Sequence, residues 1–155
     1  MSDADLSMSG VIAVAEKLGA TDTLDAADPS VGKQVLAMTG GGVNYAIEAV
    51  GRPETAELAW QVLRRGGTAT ILGMIAPGKS VTIPGPSFLS GKRMQGSLLG
   101  STQFPIDMPR LVSMYLDGRL DLDTMVAERI TLPEINGAME KLRTGDTTRS
   151  VVVFE

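Results

Sequence analysis

Two apolar stretches in succession close on glycine: "YAIEAVG" ends at Gly51 and "TATILG" at Gly73. A glycine that ends a strand and precedes a helix start, as Gly51 does before "PET", lets backbone approach a ligand closely. Glu48 is the polar residue of the first stretch. Alternation sets it on one face with Ala46 and Val50, which makes it either a partnered structural carboxylate or a polar contact at a site rim. The three glycines Gly40, Gly41 and Gly42 come before a strand, fit neither GxGxxG nor the Walker pattern, and read as a helix stop with a tight turn.

The residue types also exclude chemistry. The chain has no Cys and no His. Disulfides, thiolate nucleophiles, a Ser-His-Asp triad and an ordinary catalytic zinc site are therefore ruled out within it. A formal net charge of −4 without a basic cluster argues against nucleic acid and anionic membrane as partners. No apolar run approaches the roughly 20 residues of a membrane span. The start, "MSDADLSMSG", carries two acids and no Lys or Arg, unlike a secretory signal, so the expected location is cytoplasmic.

Helices and strands must alternate to position Gly51 and Gly73. With 155 residues, 43% hydrophobic and 21% charged, the chain has a globular composition and length enough for a core. "VIAVAEKLGA" predicts a helix capped by Gly19, and "TDTL" a short strand. A second helix follows with Asp28 as N-cap and Pro29 at its first position. "VNYAIEAV" predicts a strand, "RPETAELAWQVLRR" a helix running to Arg64 and Arg65, and "TATILGM" another strand. Such alternation with short Gly-marked joints is the pattern of right-handed βαβ units on a parallel sheet. From Ile75 to Ser101 the chain is Gly- and Pro-rich. Two amphipathic helices and a closing strand, "RSVVVFE", come after it. The fold class expected is α/β: a partial Rossmann-type parallel sheet flanked by helices over residues 1–97, with a small α+β tail over 98–155.

In order, "TGGGVNYAIEAVGRPETAELAWQVLRRGGTATILGMIAPG", "GKRMQGSLLGS" and "RSVVVF" resemble the C-terminal half of a medium-chain, zinc-type alcohol dehydrogenase. The resemblance runs from about residue 11 to the end. It implies a Rossmann domain for NAD or NADP joined to a portion of the catalytic domain. Carried over by position, Ala49, Val50, Gly51 and Arg52 would pass beside the adenosine half of the cofactor. Main-chain groups of Leu72, Gly73 and Met74 would lie near the nicotinamide. Ser97 and Leu99 would contact the carboxamide through backbone, and Arg149 would reach the pyrophosphate. "GPSFLSGKRMQGS" matches the family's dimer-forming region, so a homodimer through residues 84–97 is implied.

The departures matter too. The glycine fingerprint that cradles the pyrophosphate is not in this sequence, nor are the family's zinc ligands, so zinc is expected of the full-length family member and not of this chain. Asp5 is the candidate for the acidic residue that binds the adenosine ribose, one residue further from "LGAT" than the pattern asks. The family's first strand, central in its sheet, is also missing, which would expose strand edges and apolar faces that something must fill. The implied function is that of a partial NAD(P)-dependent alcohol dehydrogenase, inactive by itself. The alternatives are a non-enzymatic dimerisation or nucleotide-binding module of the same descent, or a fragment of a zinc-independent quinone reductase relative. "RRGGTATILG" alone also resembles methyltransferases, but the stretches after it do not.

Overall fold

The computed structural model describes residues 8–144, 147 and 149–154. Its principal elements are α1 (Met8–Lys17), α2 (Val31–Met38), β1 (Val43–Glu48), α3 (Pro53–Gln61), β2 (Leu63–Ile71), β3 (Arg93–Gly96), α4 (Phe104–Leu116), β4 (Glu128–Ile130), α5 (Ile135–Thr144) and β5 (Ser150–Val152). All strand pairs are parallel. The α/β class with parallel sheets is thus the one expected from the alternation. Two compact units result: residues 26–103, and the described residues up to Asp25 together with those from Phe104 onward.

In the unit of residues 26–103 the strands lie in the order β1-β2-β3. Parallel neighbours cannot be joined by a tight turn, and α3 is the crossover from β1 to β2. One sheet face carries the row Ala46, Ala69, Met94 in register. Ala59 and Trp60 of α3 pack on that face with Leu63, and Val43 and Ile83 close around them. Trp60 is the centre of this core. Its indole N–H donates to Ser87 Oγ at 3.0 Å, its ring meets Phe88 at 5.0 Å, and Lys92 Nζ lies 5.8 Å over it. Burial there pushes the Lys92 pKa down. The opposite face carries Tyr45 and Ile47, which are 79% and 71% exposed. Among the described residues no element pairs with the outer edge of β1.

Three expectations need adjustment. The helix that starts at Pro53 ends at Gln61, not at Arg65, because the Val62 carbonyl accepts from Val43 N–H (2.9 Å) and draws the chain into the sheet. Arg64 to Gly67 then form a bulge: Val43 pairs with Leu63, but Tyr45 pairs with Thr68. Asp28 caps one turn early. Its carboxylate accepts from Ser30 N–H and from the Gln34 side chain, each at 2.7 Å, and α2 proper begins at Val31. These donors hold the Asp28 pKa below the usual carboxylate range. "TDTL" forms no strand. Strands exist by virtue of their ladder partners, and Thr23 instead donates to Glu16 of α1 at 2.9 Å. The triple glycine is a turn, as expected: Gly41 N–H closes on Leu36 O at 2.8 Å, and all three glycines have positive φ.

In the other unit, β4 and β5 pair in parallel around the crossover helix α5. A capping box introduces that helix, with Thr131 N–H donating to Glu134 Oε2 at 2.7 Å. Ile130 of β4 and Ala138 of α5 are the buried apolar residues of this unit among those described. Among the described residues no helix is long and apolar enough to cross a membrane.

Candidate functional site

Parallel strands in register end together. Glu48 pairs with Ile71, and Ile71 with Gly96, so β1, β2 and β3 finish flush on one edge of the sheet. The segments 49–52, 72–74 and 97–99 leave from that common edge. It is the carboxyl edge, where ligands of open α/β sheets bind. Nine of the eleven candidate residues read from the sequence lie on these three segments.

Two of the segments are in direct contact. Gly51 has φ +85°, and a Cβ there would meet Met74 O at 2.6 Å. A Cβ on Gly73 would strike Gly51 N, and would stand 2.6 Å from both Gly51 Cα and Glu48 Oε2. What each glycine admits is the neighbouring loop. Gly51 is expected from the sequence to admit a ligand; what lies against it in the structure is backbone of Met74, from the segment after the next strand.

Glu48 lies beneath both segments, 4% exposed. Its Oε1 accepts from Val50 N–H and Gly51 N–H at 2.8 Å each and from the Thr55 hydroxyl at 2.7 Å. Its carbonyl accepts from Leu72 N–H (2.7 Å) and Gly73 N–H (3.1 Å). Oε2 is buried with no hydrogen-bond partner. Burial pushes the carboxyl pKa up, but the Thr55 hydroxyl and the backbone of Gly51, Val50 and Arg52 outweigh it and hold the group below the usual glutamate range. Of the two readings left open for Glu48, the partnered structural carboxylate is the one found.

Outward, the edge is apolar. Val50 is 69% exposed, Leu72 41%, Met74 90% and Leu99 70%. Ala49 is exposed beside them. Arg52 extends from the start of α3 with Nε 3.6 Å from Glu54 Oε2, a solvated pair that leaves the guanidinium largely accessible. Ser97 N–H is spent on Ile71 O at 3.0 Å, and its hydroxyl meets Ser101 Oγ at 3.0 Å. Leu99 has φ 48°, a left-handed conformation that is uncommon in a non-glycine residue.

Arg149 belongs to the other unit, where its carbonyl accepts from Ala127 and Glu128 N–H. It lines a cleft of about 310 Å³ with Ile130, Met139, Leu142 and Thr147. Asp5 lies outside the described residues. Sequence reasoning missed Thr55, whose hydroxyl completes the Glu48 cluster. Its place seven residues after a strand Glu, in the first turn of a helix, was the available signal.

The edge fits a dinucleotide in part. Exposed apolar side chains suit base and nicotinamide rings, and Arg52 suits an aromatic face or a phosphate. Zinc does not fit: the sequence offers neither Cys nor His, and among the described residues no group of three acids is placed to hold a metal.

Comparison with known proteins agrees with the fold. The family model described as zinc-binding dehydrogenase matches residues 7–116. Geraniol dehydrogenase from Carpoglyphus lactis is 35% identical over 74% of this chain and 30% of its own length. The S-(hydroxymethyl)glutathione dehydrogenase of Aspergillus oryzae is 32% identical over 92% of this chain and 38% of its own. Among solved structures, benzyl alcohol dehydrogenase from Acinetobacter calcoaceticus superposes with a TM-score of 0.89 at 27% identity. That match covers 97% of this chain and 41% of the enzyme. The chain thus spans about two fifths or less of the length of these relatives. Over that span the fold is shared with these enzymes, and the chain belongs to the zinc-type alcohol dehydrogenases.

Proposed function

We propose that this chain contributes the dinucleotide edge of an NAD(P)-dependent alcohol dehydrogenase and takes no part in metal binding. The observation that carries the reading is the flush ending of β1, β2 and β3, which brings segments 49–52, 72–74 and 97–99 to one apolar edge. On this reading Ala49 to Arg52 receive the adenosine half. Leu72 to Met74, with Ser97 and Leu99, receive the nicotinamide half through backbone and apolar contact. Arg149 serves the pyrophosphate and Asp5 the ribose. A bound nicotinamide supplies hydride transfer to or from an alcohol carbon, while these residues orient its ring and keep water from it. With neither Cys nor His the chain offers no ordinary zinc ligand, so on this reading its part is cofactor contact and not activation of the alcohol oxygen.

A homodimer through residues 84–97 belongs to the same reading. Phe88 and Leu89 are 55% and 87% exposed, and β3 is the outermost strand of its sheet, with an edge able to pair. A second reading, a binding or dimerisation module without cofactor, is favoured only by the lack of Cys and His.

Calorimetric titration with NADH, and with S-adenosylmethionine as control, tests the proposal. Saturable NADH binding is expected, weakened by about two- to fivefold in Arg52→Ala, the loss of one exposed cation–π contact. Gly51→Val is a poor probe, since its Cβ would enter the Met74 backbone. A folded dimer that binds neither ligand would favour the module.

A further inference from the structure

We propose that Glu48 is the positioning residue that couples the two halves of the cofactor edge, so that the adenosine and nicotinamide segments act as one surface. The inference rests on the cofactor reading above. One residue gathers five donors: three from the Val50–Thr55 segment on its side chain, and two from Leu72 and Gly73 on its carbonyl. These are the two segments assigned to opposite halves of the dinucleotide.

The chemistry of the group fits the task. An oxygen that accepts from two N–H groups and a hydroxyl is best served by an anion, whose hydrogen bonds are roughly twice as strong as neutral ones. The Thr55 hydroxyl has a single proton and also stands 2.9 Å from the Arg52 carbonyl. The carboxylate is nearer, at 2.7 Å, and charged. Oε2, with no partner, is covered by Gly73, where a Cβ would come within 2.6 Å of it. The side chain is therefore tied to one segment by bonds and pressed against the other by contact. Neither segment can shift without disturbing it. A merely structural Glu would support its own turn; this one lies across the joint between two strands.

Glu48→Gln separates these roles, because it keeps the shape and one acceptor oxygen while removing the charge. Two measurements on the full chain are needed. In the ligand-free protein, amide hydrogen exchange should quicken at Val50 and Gly51 and, together with them, at Leu72 and Gly73. In titrations, NADH should bind about tenfold more weakly than to the wild type, whereas ADP-ribose, which lacks the nicotinamide, should lose only about threefold. Thr55→Val removes one donor and keeps the carboxylate, and should move both readouts the same way by less. It also serves if Glu48→Gln does not fold. Exchange that quickens at 50–51 alone, or equal losses for NADH and ADP-ribose, would overturn the coupling. Unchanged NADH affinity in folded Glu48→Gln would overturn the positioning role and leave the cofactor reading standing. Failure of the wild type to bind NADH would remove both.

Discussion

Trp60 and Leu63 are each 2% exposed, whereas no described residue of α4 is buried, and Met139 and Leu142 on α5 are 61% and 54% exposed. Both units are built from amphipathic helices and parallel strands, yet residues 26–103 close a core and the other unit leaves its apolar stripes uncovered. The difference shows what a sheet contributes. Three paired strands give α3 a surface on which Ala56, Ala59 and Trp60 can all be buried, while the two three-residue strands β4 and β5 bury little beyond Ile130 and Ala138. Helical pattern alone makes a stripe; it needs a partner surface to become a core.

Trp60→Ala should break this contrast most strongly. It removes the side chain on which Ser87, Phe88 and Lys92 converge, and should destabilise residues 26–103 by about 3–5 kcal/mol in chemical denaturation. Ile130→Ala, the counterpart in the other unit, should cost at the low end of core truncations, about 2 kcal/mol. Equal losses would mean that the second unit is better packed than its exposure indicates.

Glycines sharpen the comparison at a smaller scale. Gly73→Ala would drive a Cβ into Gly51 and Glu48, and should destabilise by roughly 3 kcal/mol. Gly137, inside α5, has nothing within 4 Å of its Cβ position and no positive φ. Gly137→Ala should stabilise by about 0.5–1 kcal/mol through helix propensity, as thermal melts would show.

The smallest effect concerns acid. The Glu48 pKa is lower in the folded chain than in the unfolded one, so the carboxylate adds stability at pH values above its unfolded pKa. That contribution fades as pH falls through the unfolded value towards the folded one. Wild-type stability should therefore drop below about pH 4.5 more steeply than that of Glu48→Gln. Parallel pH profiles for the two would show that the carboxylate is not held as described.

Much of this was legible in the sequence, and the limits are instructive. Alternating helix and strand predicted the parallel sheet, and glycine at two strand ends marked the carboxyl edge as the place where backbone could come close to a ligand. The register Glu48–Ile71–Gly96 could not be read, because it depends on which residues of different strands stand opposite one another. For the same reason Gly51 and Gly73 could each be suspected of admitting something, but not each other's loop. Glu48 was visible as a polar residue in an apolar strand, whereas two of its three side-chain donors, Val50 and Gly51 N–H, come from a turn whose geometry no spacing rule encodes. The end of α3 was misjudged because Arg64 and Arg65 suit a helix terminus, while Val62 is claimed by Val43 across the sheet. "TDTL" has a strand's residues and lacks a ladder.

The bulge after α3 has a consequence for how such a chain can change in length. Between two paired positions β1 advances from Val43 to Tyr45 while β2 advances from Leu63 to Thr68. The surplus is taken up by Arg64, Arg65 and Gly66, all exposed, with open space around the Cβ position of Gly66. Residues gained between Arg65 and Gly66 would be spooled out into solvent, and the ladder from Thr68 onward would not feel them. The sheet thus carries an expansion joint where β2 begins, at the end of the ladder opposite the carboxyl edge that forms the site. Grafted peptides and inherited insertions alike have a place to go there without moving Ile71, Leu72 or Gly73.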